Sequence, residues 1–178
     1  GATALSLGAA VVDGSLLNAP AVSAASLTMG ANSVFTTQAG KALTVTGAVL
    51  SSGSLTVGSL TAGGNLTAAG TLASAGAINA AAIAFGTGTF SATNLVASGA
   101  FTNAGATTLT GSLTATSVTQ SAGSLSAATL STTGAFALQA GTATIASTGS
   151  LASTSITLGD NTTLTAPVVN NSGLITLG

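Results

Sequence analysis

The sequence contains no cysteine, histidine, tryptophan or tyrosine, and almost no charge. Asp13, Lys41 and Asp160 are its only charged side chains, giving a net charge of −1 over 178 residues. Charged residues make up 2% of the chain, against about 25% in an ordinary soluble domain. Without cysteine there is neither a disulfide scaffold nor a thiolate metal site. Without a basic patch there is no footprint for nucleic acid or for an anionic membrane surface. General acid–base catalysis draws on His, Glu, Asp or Lys, and three isolated charges supply little of it. Serine and threonine are abundant, yet only Lys41 could act as a base toward one of them, and a lone lysine is ordinarily a solvated surface charge. No Gly-Lys-Ser or Gly-Lys-Thr phosphate loop occurs. The expectation is a chain that is not an enzyme and uses no cofactor or metal.

Long apolar runs are missing as well. Mean hydropathy is +0.73, a value suggestive of a membrane protein, but a spanning helix needs roughly 18 consecutive apolar residues. The longest comparable run is Ala80 to Phe85, most of it alanine. Strands of a membrane barrel need about 9–11 residues and aromatic girdles. Here the apolar pattern breaks every five or six residues, and the only aromatics are five phenylalanines. No membrane insertion is expected. Disorder is disfavoured too, because disordered chains combine low apolar content with high net charge, and this one is 46% hydrophobic and nearly neutral.

What is present is glycine, alanine, serine and threonine, punctuated by large apolar residues at regular places. Leu55, Leu60, Leu66, Leu72, Ile78, Ile83, Phe90, Leu95 and Phe101 recur every five to seven positions. That is too sparse for a helix, which wants apolar residues at i, i+3, i+4 and i+7. It suits very short strands separated by corners where Gly or Asn takes a positive φ. A longer period overlies the short one. Gly53, Gly88 and Gly123 stand 35 residues apart, and the same step relates Leu55, Phe90 and Leu125. It also relates Leu60, Leu95 and Leu130, then Leu66, Phe101 and Phe136. Half of that step works loosely, so one coil is about 17–18 residues with three short strands. Self-similarity at a fixed period marks a solenoid. The expected fold is all-β: a parallel β-solenoid, or β-helix, with Leu55, Leu60, Leu66, Phe90, Leu95, Phe101, Leu125, Leu130 and Phe136 as its core ladder.

The whole of residues 1–178 reads as one solenoid domain of about ten coils. Residues 1–50 are less regular, 51–140 carry the 35-residue double-coil repeat, and 141–178 echo residues 5–30. The echo is specific. Asp13, Pro20 and Val22 recur as Asp160, Pro167 and Val169 at a constant offset of 147, which also carries Leu27 onto Leu174. Both prolines and both acidic residues lie in these two stretches. A chain that ends with the element with which it began is suited to head-to-tail stacking with copies of itself, and non-closing heterologous contacts generate filaments. These six residues are the candidate subunit joints, and the expected partner is a second copy of the chain.

The stretch Leu60-Thr-Ala-Gly-Gly-Asn-Leu66-Thr-Ala-Ala-Gly70-Thr-Leu72 resembles the repeats of filamentous haemagglutinin-type adhesins, as do similar phrases over roughly residues 50–140. The resemblance implies a right-handed parallel β-helix, secretion to the bacterial cell surface, and an adhesive or structural role. The near absence of charge is a departure from such adhesins, and it favours a self-assembling extracellular or matrix fibre over receptor binding. A stalk segment of a large adhesin is the alternative. Ice binding is a second alternative, because Thr-x-Thr occurs at Thr44/Thr46, Thr87/Thr89, Thr114/Thr116, Thr142/Thr144 and Thr163/Thr165. On a 35-residue step, however, Thr44/Thr46 and Thr114/Thr116 have Asn79 and Ala81 between them, while Thr87/Thr89 and Thr142/Thr144 fall on other phases. A single threonine face is therefore not expected.

Overall fold

The computed structural model describes residues 4–178. Among them are twenty-seven short strands and no helix. Consequently no helix is long and apolar enough to cross a membrane. The first coil consists of β1 (Leu5–Val12) and β2 (Ser15–Ala19), and the second of β3 (Val22–Met29) and β4 (Val34–Thr37). The third has β5 (Ala42–Val45), β6 (Val49–Ser51) and β7 (Ser54–Val57), and this three-strand plan holds through the ninth coil, the tenth having two strands. Each strand pairs in parallel with its equivalent one coil away, which builds three stacks along the solenoid. Ten coils contribute to the first and second stacks and nine to the third.

The apolar ladder falls on these stacks as the sequence spacing predicts. In the first, Val22, Leu43, Leu60, Ile78, Leu95, Leu113, Leu130 and Leu151 lie over one another. In the second, Leu27, Val49, Leu66, Ile83, Phe101, Val118, Phe136 and Ile156 do so. In the third, Phe35, Leu55, Leu72 and Phe90 lead to Thr107 and then Leu125. All nine residues of the expected ladder are buried. Complete burial of such a side chain contributes about 2 kcal/mol, and each coil adds roughly three of them. The neighbouring inward position holds a small residue in most coils, such as Val45, Ala62, Ala80 and Ala97 in the first stack. Strand length follows from this alternation, since three or four residues place two side chains inside before a corner must turn the chain.

The first fifty residues differ from the rest in one physical respect. β1 and β3 each run eight residues without a corner. β3 pairs through its first half with β5 and through its second half with β6. Between its two halves β3 has only Ala25 and Ser26 and does not break; from the third coil onward the strand is interrupted there, at Gly47 and Gly63-Gly64 in the next two coils and at Ala81-Ala82 in the fifth. The step between ladder positions lengthens where a tight turn is inserted. One such turn brings the Lys41 amide onto the Gln38 carbonyl at 2.9 Å, and another the Gly149 amide onto the Ala146 carbonyl at 2.8 Å.

The corner before the third stack shows why the glycine period is so strict. Gly53, Gly70, Gly88, Gly105, Gly123 and Gly141 sit there in successive coils. The expectation of left-handed backbone holds only for the last two, at φ 71° and 84°. At the others the reason is close approach: a Cβ on Gly88 would lie 1.8 Å from the Gly70 carbonyl oxygen. That carbonyl direction is fixed by function in the wall, as when the Gly88 oxygen accepts from the Ala106 amide at 3.0 Å.

Candidate functional site

Two kinds of surface exist on this molecule, the ends of the coil stack and its long sides. The six joint residues sit at the ends in matched places. Asp13 lies at the corner between the second and third stacks in the first coil, and Asp160 at the same corner eight coils later. Both are exposed. Pro20 and Pro167 each stand at the corner leading from the third stack into the first, where a proline forfeits no ladder hydrogen bond. Val22 and Val169 each occupy the inward ladder position of the first stack. The echo is therefore one of structure as well as of sequence up to this point. It then slips by one residue: Leu27 is buried in the second stack, whereas Leu174 is 72% exposed and its neighbour Ile175 takes the ladder position. The slip arises because the last coil inserts a corner, Ser172-Gly173-Leu174, where β3 runs straight.

At the far end, the inward residues of the last coil have no coil above them. Val169 is 42% exposed, Ile175 50% and Leu177 71%. At the near end Leu5, Leu7, Ala10 and Val12 of β1 are only partly buried against the core. No charged side chain covers the ladder at either place; Asp13 and Asp160 lie at the side corners. At roughly 4.8 Å per coil the two carboxylates are about 38 Å apart, too far to share a proton or a metal ion. Lys41 lies in the exposed turn after β4. Among the described residues no group of three or more His, Cys, Asp or Glu is gathered as metal ligands would be.

The interior holds a feature that the sequence pattern did not reveal. Asn103 and Gln120 occupy successive coils of the second stack and point inward, at 1% and 0% exposure. The Asn103 amide donates to Gln120 Oε1 at 2.8 Å and to the Gly105 and Ser124 carbonyls at 3.1 and 3.2 Å. Its Oδ1 accepts from the buried Thr107 hydroxyl at 2.9 Å. The Gln120 amide donates in turn to the Ala122 carbonyl. Next to this group, Phe85 stacks on Phe90 with ring centroids 3.9 Å apart and meets Phe101 edge-on at 5.6 Å. The polar group is closed on itself, and nothing in it faces a cavity. Its Asn103–Gln120 bond joins two successive coils. No protein-family model, curated protein or solved structure matches the chain.

Proposed function

We propose that this chain is a structural unit of an extracellular fibre, lengthened by stacking coil on coil against further copies of itself. The observation that carries the reading is the matched end element: Asp13, Pro20 and Val22 recur as Asp160, Pro167 and Val169 in the same corners and the same ladder position, eight coils on. A contact that repeats at constant phase and does not close propagates a filament. The ladder residues Val169, Ile175 and Leu177, exposed in the last described coil, would supply apolar surface to such a joint. The backbone edges of the last coil supply hydrogen bonds to β1 of the next copy. A continuous strand accepting two separate ones has a precedent within the chain, where β3 pairs with both β5 and β6. With a net charge of −1, no repulsion opposes end-to-end or lateral association.

The third stack has nine strands against ten on the other two, so a joint formed by residues 4–178 rests on the first and second stacks. A second reading is a stalk segment of a larger secreted adhesin in which coils continue along one chain. Electron microscopy over a range of concentrations separates the two. The fibre reading expects unbranched rods that lengthen with concentration and show an axial repeat of about 4.8 Å. A Val169→Lys, Ile175→Lys variant, altered only at half-exposed positions, is expected to fold normally and to remain as short rods. Short monodisperse rods from the unaltered chain at high concentration overturn the fibre reading in favour of the stalk.

A further inference from the structure

The third stack carries a second pattern on its outer side. Each of its strands turns one residue outward on either side of the inward ladder position, and parallel register aligns these into two ranks. The first rank runs through Ser54, Thr71, Thr89, Ser124, Thr142 and Thr163, interrupted by Ala106 and preceded in β4 by Val34. The second, two residues further along each strand, runs through Thr56, Ser91, Thr108, Ser126, Thr144 and Thr165, interrupted by Ala73. The result is a two-dimensional grid of hydroxyls, spaced roughly 4.8 Å from coil to coil and 6.6 Å across the strand. Thr142/Thr144 lies directly beneath Thr163/Thr165, and Thr89 shares their first rank. The phase mismatch expected from a rigid 35-residue step is thereby corrected. The lengthened turn at Ala146–Gly149 absorbs the extra residues before the last third-stack strand, and the wall keeps its register.

The other faces lack this order. The outward row of the first stack passes from Thr61 to Asn79 and Val96 before reaching Thr114. That of the second is broken by Leu50, Ala84 and Ala137. The second-stack row still holds Thr28, Thr67, Thr102, Thr119, Thr157 and Thr176, so what sets the third stack apart is a second parallel rank, which makes a grid of a row. Within the two ranks, one side-chain hydrogen bond joins the Thr71 and Thr89 hydroxyls at 3.5 Å. Of the other residues in the ranks, most are exposed, and Ser54, Ser124 and Ser126 are half-buried.

The chemistry of the grid narrows its occupant. The face bears no charge, so a polyelectrolyte or an ionic mineral has no counter-charge there. All five phenylalanines are buried, and no tryptophan or tyrosine exists, so no aromatic platform is offered to a sugar ring. A periodic, uncharged array of small donors and acceptors complements a surface of the same kind. Crystalline water is such a surface, and its hydroxyl groups repeat in two dimensions a few ångströms apart. Threonine is suited to hold it, because its branched side chain is stiff about χ1 and loses little entropy when fixed. Its methyl group limits the alternative hydrogen bonds of water lodged between the ranks. From this we infer that the third stack is an ice-binding face. The inference stands apart from the fibre reading, since a single short rod carries the same ranks.

The test is slow freezing of a solution of the whole chain together with an inert carrier protein, with the protein measured in the ice and in the remaining liquid. Thermal hysteresis is recorded on the same samples. Two variants accompany it, Thr89→Lys with Thr108→Lys on the grid, and Thr102→Lys with Thr114→Lys on the other two faces. Circular dichroism establishes that each retains the β-solenoid. The expected result is enrichment of the unaltered chain and of the second variant in ice, and loss of enrichment and hysteresis in the first. Exclusion of the unaltered chain from ice overturns the assignment, as does equal enrichment of the grid variant. If the grid variant instead disperses laterally bundled rods while no form enters ice, the occupant is a second copy of the chain and the assignment is again overturned.

Discussion

Gly88→Ala is expected to destabilise the solenoid by about 3 kcal/mol or more, at the upper end of what overpacking does, with a corresponding fall in the thermal and denaturant midpoints. The added methyl would stand 1.8 Å from the Gly70 carbonyl oxygen and 2.7 Å from that of Ala69. Side-chain Cβ atoms do not approach within 3.0 Å of such atoms, and these obstacles are backbone, with no rotamer to give way. Relief requires separating two coils at the corner. The separation stretches the bond that crosses the same corner, from the Gly86 amide to the Ala68 carbonyl, now 2.7 Å. Because solenoid stability is a sum of neighbour terms, the damage divides the rod at its middle. Gly8→Ala is the matched control. A Cβ at Gly8 meets nothing within 4 Å, so alanine there leaves stability unchanged or raises it by about 0.5 kcal/mol through the unfolded state. Equal effects at the two sites would show that close approach at the corner is not what the glycine period serves.

Asn103→Ala is the second large effect, expected to cost about 3 kcal/mol from two or three buried groups left unpaired. Gln120 Oε1 loses its donor and the Thr107 hydroxyl loses its acceptor, both in the dry interior. The informative comparison is the fully apolar layer, Asn103→Leu with Thr107→Val and Gln120→Leu. It removes the group as a whole and continues the apolar rows on either side, from Phe85 to Leu138 and from Phe90 to Leu125. Removing both partners of a buried pair is far less damaging than removing one. The triple variant is therefore expected to recover most of the stability lost in Asn103→Ala, as read by urea midpoints. A triple variant no more stable than Asn103→Ala would show that the layer contributes through shape that leucine cannot reproduce. The polar layer's remaining role is register: a coil displaced by one residue would bury Asn103 without Gln120 opposite it.

Much of this was legible in the chain itself. Leu55, Leu60, Leu66 and their 35-residue partners sit where periodicity places them, because a coil can bury a side chain only at fixed intervals and each coil must match the next. The glycine step before the third stack was equally visible, although its cause lies more in coil-to-coil approach than in positive φ. The matched corners of Asp13 and Asp160, and of Pro20 and Pro167, also follow from sequence offset alone. The ladder residues announce themselves by size and spacing against a background of small ones.

Other features were settled only by three-dimensional register. Asn103 and Gln120 are two polar residues among many until strand pairing turns both inward, one above the other. Leu174 continues the sequence echo yet faces solvent, since one added corner residue shifts a strand by one position and reverses every side chain on it. The hydroxyl grid keeps the 35-residue step from Ser54 to Ser124 and loses it beyond Thr142, where the turn at Ala146–Gly149 intervenes before Thr163. Sequence spacing counts residues along the chain, whereas the wall counts coils. Sequence therefore determined the fold and its core, where one coil repeats the last, and tertiary register decided which outward residues share a face.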